Sequence, residues 1–441
     1  MASTPHLILN AEDAAFFKEA VIDAKADAVA TRPSHENIVA AKAYFREKLE
    51  EAAPAGATDA RDKLLEWTDF VEKNAIVIVV DVADEADAFL IFETLNYRGI
   101  PLTVADLLKN YLFGLAGANL DAVQRSWASA VSTLESFDDP DLFVTFLRHY
   151  WISENGLVRE RDLFRSLKAR IKTADQVLTF AGKLEHAARN YAALLTPDHE
   201  AWTDLGFESR ADVETLVRLR IEQNRPLLLA AMDRFDAGEL KRLLTYIVSW
   251  SVRGVVVGGF GAGTTESAYA GAAQKVRDGA AANTAAVYYL LKEIVPSDSR
   301  FQSRFVDYRP PTNKIARYYL LALERYKLGD PEPEFVPNED EEKVNLEHVF
   351  PRNAKPADWP AFKDLDAGEW SGRLGNLALL RKSKNAKIGN KPFTTKKPIL
   401  AASEIVLTKM VGDQADWTPT EIEARQAELA ALAVEVWPVE P

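Results

Sequence analysis

The sequence predicts a mainly α protein with small α+β parts: a helical N-terminal and middle region, then a compact strand–loop–strand–helix module near the C-terminus. Three observations carry this prediction. Apolar residues recur at roughly 3.6-residue spacing through most of residues 11–74 and 121–328, the period of helices with one buried face. Strand-like runs are few, chiefly 75–82, 344–350 and 376–380. One abrupt change in composition, the Pro- and acid-rich stretch 329–342, separates the helical middle from the C-terminal module.

Taken in chain order, "NIVAAKAYFREKLEEAA" and "ARDKLLEWTDFVEK" read as amphipathic helices joined by small linkers. "AIVIVVDV" (75–82) is continuous and β-branched, so it reads as a strand. A helix, "DEADAFLIFETLN" (84–96), and a tight "NYRG" turn come next. "TVADLLKNYLFGL" then starts with Thr103 as N-cap and Asp106 as its reciprocal partner three residues on. From 121 to 328 the pattern is helical almost throughout, with "DDPDLFVTFLRHYWI", "ADQVLTFAGKLEHAARNYAALL" and "NKIARYYLLALERYKL" as clear examples. No fixed-period repeat supports a solenoid. "GGFGAG" (258–263) lacks the Gly-Lys-Ser/Thr ending of a phosphate loop and reads as a helix–helix connection. Beyond the acidic stretch come a short strand (344–350), a loop with Trp359 and Trp370, a second strand "NLALL" (376–380) and a short helix "SKNAKIG" (383–389). The expected segments are therefore 1–120, a helical domain 121–328, a linker 329–342, a ββα module 343–400 and a helical tail 401–441.

Composition narrows the chemistry. A hydrophobic share of 47% and a mean hydropathy of −0.17 describe a globular chain, and no apolar run approaches the ~18–20 residues of a membrane span. The first residues lack the basic start and long apolar core of a signal peptide, so a cytoplasmic protein without a membrane partner is expected. With no cysteine, disulfides, thiol catalysis and thiolate zinc sites are excluded, and any metal needs oxygen or imidazole ligands, which suits Mg²⁺ or Mn²⁺. The net charge of −13 hides a local asymmetry. Residues 371–400 carry eight basic residues (Arg373, Arg381, Lys382, Lys384, Lys387, Lys391, Lys396, Lys397) and no acid, whereas 329–342 carries seven acids and no base. That is the footprint of a polyanion site.

"NLEHVFPRN" (345–353) places Glu347 and His348 in the first strand of the C-terminal module, after the acidic stretch and before the basic one. Phosphodiester cleavage needs a base to activate water, a divalent ion on the phosphate and positive charge nearby. His348 titrates near neutral pH and can be the base. Glu347 and Asn385 supply oxygen ligands of the kind Mg²⁺ takes. Adjacent strand residues point to opposite faces, so Glu347 and His348 serve one site only where the strand ends or bulges, which Pro351 favours.

"LEHVFPRN", "RLGNLALL" and "KSKNAKIGNKPF", in that order, resemble the HNH (His-Me finger, ββα-metal) nuclease module. The version they resemble most is that of the GmrSD family, the modification-dependent type IV restriction enzymes and related phage-defence nucleases. "AFLIFETLNYRGIPLTVADLLKNYLF" (88–113) is similar to the segment closing that family's N-terminal ParB-like domain. The resemblance implies His348 as general base, Glu347 and Asn385 as metal ligands, and Asn376 as the middle Asn that braces the loop and helps orient His348. Arg381, Lys384, Lys387 and Lys391 become phosphate contacts by charge and position. It implies DNA as substrate, Mg²⁺ or Mn²⁺ as cofactor, and a role in defence. The Asp-Gly-Gln-Gln-Arg motif of the family's N-terminal domain, associated with nucleotide use and sensing of modified DNA, does not occur in the sequence. Residues 1–120 are thus expected to be a remnant of that domain, with nucleotide control lost or supplied by a separate sensor subunit.

Simpler readings stand beside these. A lone Glu-His is an ordinary polar pair and a basic run is usually a solvated face; both gain weight only together with Asn376 and Asn385. Asn96, Arg98 and Gly99 read as a turn that starts the capped helix, or else Arg98 and Lys109 face a nucleotide or DNA. Trp359 and Trp370 read as core, and His149, His186 and His199 as structural or surface residues. The functional expectation is a metal-dependent HNH-type DNA endonuclease that needs a homodimer, or two successive nicks, to break both strands. The alternative is a non-catalytic DNA-binding or regulatory partner subunit.

Overall fold

In a computed structural model the chain divides into two compact units, 1–85 and 86–441. Residues 9, 13–25, 28–54, 56, 58–76, 103–258, 261–329 and 343–441 are described. All but the first two residues of the expected strand 75–82, the helix 84–96, the turn with Asn96, Arg98 and Gly99, and nearly all of the acidic stretch 329–342 lie outside the described residues. No described helix is long and apolar enough to cross a membrane.

The first unit carries the two expected helices, Pro33–Ala52 and Ala60–Asn74. Pro33 occupies the first helical turn, where a missing N–H does no harm. A preceding segment, Ala14–Phe17 continuing as Lys18–Ile22, packs on the first of these helices. Phe16 stacks on the His35 ring at 4.0 Å, and Ser34 Oγ donates to Asp13 Oδ1 at 2.8 Å. The Ala60–Asn74 helix buries no side chain and is laced by Lys63–Asp59 and Lys73–Asp69 pairs.

In the second unit Thr103 and Asp106 form the expected reciprocal cap: Asp106 N–H donates to Thr103 Oγ1 at 3.2 Å, and Thr103 N–H to Asp106 Oδ2 at 3.2 Å. Helices then succeed one another to Leu328. Leu120–Glu135 packs along Ala174–Leu195, and Arg225–Arg234, Leu142–Asn155 and Ala262–Arg277 all pack on one another. "GGFGAG" is a helix connection: Gly258 ends one helix in the left-handed region at φ 85°, and Gly261 precedes the next.

The described strands form one antiparallel pair, β1 (Val344–His348) and β2 (Leu377–Arg381), with His348 opposite Leu377 and Val344 opposite Arg381. Period-2 alternation divides the pair between two cores. Val344, Leu346, Leu377 and Leu379 join the large core of the helical body. Ala378 and Leu380 join a smaller cluster with Phe350, Trp359, Phe362, Trp370, Ile388, Phe393, Leu400, Trp417 and Ile422. Trp359 and Trp370 are therefore core, each of their side chains contributing roughly 2–3 kcal/mol by burial.

Packing runs straight across the boundaries expected at 343 and 400. Arg317, on the Asn313–Leu328 helix, donates to the Val344 carbonyl. Glu324 on the same helix accepts from Val406 N–H at 2.6 Å and Leu407 N–H at 2.8 Å, capping the Val406–Gly412 helix. The expected tail ends in a long helix, Pro419–Val436, whose Arg425 and Gln426 are buried beneath β2. Arg425 Nη1 donates to the Gly375 and Leu377 carbonyls at 2.6 and 2.7 Å. Further on, fully buried Arg253 donates to the Trp437 carbonyl at 2.5 Å and to Asp298 at 2.6 Å. The ββα segment is thus an inlay in the helical body, held from both sides.

Candidate active site

Three consecutive pieces of the inlay frame the site: the end of β1, the turn before β2, and the Lys382–Ile388 helix that succeeds β2 directly. The ladder is regular through its last pair, His348 with Leu377, so Glu347 and His348 leave β1 on opposite faces. His348 is half-buried, and its Nδ1 lies 2.8 Å from the Ser371 carbonyl oxygen. A carbonyl only accepts, so Nδ1 carries the proton and the neutral ring keeps its lone pair on Nε2. Burial holds the imidazole pKa below its ordinary value; Arg352 and Lys396 push the same way, and the Ser371 bond opposes them. The ring is therefore neutral at pH 7, with Nε2 bonded to no described residue.

Asn376 explains why the Ser371 carbonyl is in place. Its side chain is fully buried and uses both ends. Nδ2 donates to the Phe350 carbonyl at 2.9 Å and the Ser371 carbonyl at 3.2 Å. Oδ1 accepts from Phe350 N–H at 2.8 Å and from Trp417 Nε1 at 3.0 Å. Its backbone carbonyl takes Val349 N–H at 3.0 Å. Asn376 thus locks the turn after β1 to the loop that orients His348. Such a residue touches no substrate; it positions the residue that does. Gly375, just before it, meets the Pro419–Val436 helix so closely that a Cβ there would lie 2.5 Å from the Ile422 carbonyl.

On the other face, Glu347 is buried and meets Lys396, whose side chain is wholly inaccessible. Lys396 Nζ lies 2.5 Å from Glu347 Oε1 and 2.9 Å from the His348 carbonyl. Burial pushes the Glu347 carboxyl up to about 7 against the pull of Lys396, and burial pushes the Lys396 amine down. Asn385 is half-buried on the Lys382–Ile388 helix, and its Nδ2 donates to the Leu346 carbonyl at 3.1 Å. Two oxygens, Glu347 Oε2 and Asn385 Oδ1, thus have no hydrogen-bond donor among the described residues. No described cluster of three or more His, Asp or Glu residues could hold an ion by itself.

The four expected phosphate contacts separate. Arg381 is exposed and pairs with Glu404 at 2.7 Å. Lys384 Nζ reaches the Ala402 carbonyl at 3.3 Å, and Lys391 Nζ the Lys387 carbonyl at 2.7 Å. Lys387 is exposed on the same helix. Lys396, counted with them as one more base of the polyanion stretch, is instead a buried partner of Glu347. Its spacing held the signal: Phe393, Lys396 and Leu400 fall at i, i+3 and i+7 on one helix and share its buried face. Trp417, the donor to Asn376, lies in the expected tail, and nothing local in its sequence marks that role.

Two family models match the chain. Residues 6–113 match the N-terminal domain of the GmrSD restriction endonucleases, and residues 295–432 match their C-terminal domain. The chain belongs to the GmrSD restriction endonuclease family. No curated protein matches it. The GmrSD C-terminal match begins at 295 and ends at 432, so it takes in the helices before β1 and most of Pro419–Val436, the elements that grip the sheet from both sides. All of Glu347, His348, Asn376, Asn385 and Lys396 lie within it. Membership makes the protein a DNA endonuclease of a restriction, and hence defence, type.

Proposed function

We propose that this GmrSD protein cleaves DNA with an HNH-type site in which His348 is the general base, assisted by Mg²⁺ or Mn²⁺. One observation carries the reading: the Ser371 carbonyl, braced by Asn376, fixes His348 as a neutral ring with Nε2 open. Nε2 takes the proton of a water molecule as that water attacks phosphorus in line with the 3′ oxygen. A general base of this kind typically contributes about 10²–10⁴-fold.

The donor set fits a hard divalent ion in part. Glu347 Oε2 and Asn385 Oδ1 are hard oxygen donors, and Mg²⁺ characteristically takes one or two protein oxygens with water and substrate phosphate completing its shell. Such an ion, bound there, would neutralise charge on the phosphate and the leaving oxygen. Glu347 and His348 leave β1 on opposite faces, so a single phosphate engages both only at the end of the strand. Lys384, Lys387 and Lys391, on and just after the Lys382–Ile388 helix, supply positive charge for the DNA backbone, whereas Arg381 stands at the far end of the ladder and is paired with Glu404.

One such site cuts one strand, so a double-strand break needs a homodimer or two successive nicks. The Asp-Gly-Gln-Gln-Arg string does not occur in the sequence, which leaves two forms of nucleotide control for this reading: none, or control supplied by a separate sensor subunit. The test is plasmid cleavage, on modified and unmodified DNA, with Mg²⁺, Mn²⁺ or excess EDTA. Nicked product that requires the metal is expected. Product that persists in EDTA overturns the metal-assisted reading. No product on any DNA favours a non-catalytic DNA-binding or regulatory partner subunit instead.

A further inference from the structure

We propose that Lys396 is a built-in counter-ion for Glu347 that keeps the cation-binding side of the site electrically neutral, so that a divalent ion is held there jointly by the protein and a phosphate of bound DNA. This deepens the nuclease reading above and rests on it. Lys396 has no exposed surface, and its ammonium group bonds Glu347 Oε1 at 2.5 Å and the His348 carbonyl at 2.9 Å. No other carboxylate pairs with it among the described residues. Whichever of the two partners holds the shared proton, Glu347 and Lys396 together sum to zero charge. Asn385 and the neutral His348 add none.

A dication arriving without DNA therefore meets two oxygen dipoles and no net negative charge. One of those oxygens belongs to a carboxylate whose other oxygen is already taken, so Glu347 can bind in one-handed fashion only. Divalent-ion affinity tracks the number of charged ligands, and this site supplies none in sum. A DNA phosphate brings the missing charge. The ion and the DNA then reinforce each other's binding by the same factor, since coupling between two ligands is reciprocal. A free enzyme would hold little metal and assemble its site on its substrate. Buried Lys396 also ties the β1 backbone at His348 to the Phe393–Ala401 helix, so the same residue that withholds the metal keeps the base in register.

The experiment measures Mn²⁺ affinity of the full-length protein from the spin-resonance signal of the free ion, with and without a short duplex. His348→Ala serves as parent so that the duplex stays intact, and Mn²⁺ bound by duplex alone is subtracted. In the parent, saturating duplex is expected to tighten Mn²⁺ binding by about tenfold or more, the scale of one full charge near a divalent ion in a half-buried site. Adding Lys396→Met is expected to tighten DNA-free Mn²⁺ binding by about tenfold and to shrink the gain from duplex. Adding Lys396→Arg, which keeps the charge, should leave the parent's coupling in place. Equal DNA-free affinity in the parent and the Lys396→Met protein overturns the proposal. So does a parent whose Mn²⁺ affinity ignores the duplex, a result that needs no Lys396 variant to fold. Glu347→Gln separates the two readings: if it leaves Mn²⁺ binding unchanged in every arm, the ion is not at Glu347, and the metal site of the nuclease reading fails instead.

Discussion

Replacing Asn376 with alanine removes the one side chain that ties the turn after β1 to the loop orienting His348. Three buried groups lose their partner: Phe350 N–H, the Phe350 carbonyl and Trp417 Nε1. The Ser371 carbonyl keeps its bond from His348. Each orphaned buried polar group costs about 1–3 kcal/mol, and partial relaxation of the turn returns some of it, so a total near 3–5 kcal/mol is expected. That is a large fraction of the about 5–15 kcal/mol by which domains are stable. In a unit of this size it lowers the melting temperature by roughly 4–7 °C, read by differential scanning calorimetry. Asn376→Asp provides the control for shape. It keeps the volume but faces the Phe350 and Ser371 carbonyls with an acceptor, so it should destabilise by a similar amount without leaving a cavity. Below the new melting temperature both variants should nick DNA more slowly, because His348 loses its support. A loss under about 1 kcal/mol in both variants would refute the bracing role, since surface asparagines fall in that range.

Three further outcomes are expected from other parts of the structure. Gly375→Ala puts a Cβ 2.5 Å from the Ile422 carbonyl and 2.8 Å from Gln426 Oε1. It should therefore destabilise by about 1–3 kcal/mol in urea unfolding, as overpacking does. Joint replacement of Lys387 and Lys391 by alanine should weaken DNA binding alike on all sequences. It should also reduce the slope of log K against log salt by about 2, one per phosphate contact; an unchanged slope removes them from the interface. His149 is buried against Tyr191, and its pKa is pushed down to about 3, first by burial and then by Arg225 and Arg148. Between that value and the ordinary 6.5 the unfolded chain binds the extra proton and the folded chain does not. Stability is therefore fully present above pH 6.5 and falls by on the order of 4 kcal/mol as pH drops toward 3. His149→Phe should flatten that limb of the pH–stability curve.

Local pattern made much of the fold legible in advance. The strands were expected at 344–350 and 376–380 and lie at Val344–His348 and Leu377–Arg381, because short apolar runs bounded by acid, proline and glycine leave little choice. The Thr103–Asp106 cap obeys a four-residue rule. Long-range pairing was not legible. Glu324 caps a helix 82 positions away, and Trp417 reaches Asn376 from 41 positions away. Neither partner carries a local mark of the other, so the segments expected as separate at 343 and 400 prove to be continuous in packing. Lys396 shows the same limit at the site itself. A lysine in a basic run reads as a solvated or phosphate-binding charge, and only its register on the Phe393–Ala401 helix turns it inward to Glu347.

His348 Nε2 as the base is the claim on which the nuclease reading stands most directly. The measurement is the single-turnover rate of duplex cleavage by the wild-type protein and by His348→Ala, with saturating Mg²⁺ and with melting curves showing both folded. A fall of about 10²–10⁴-fold in rate, with DNA binding retained, is the predicted result. Equal rates in the two proteins would contradict it and move the chemistry elsewhere in the molecule.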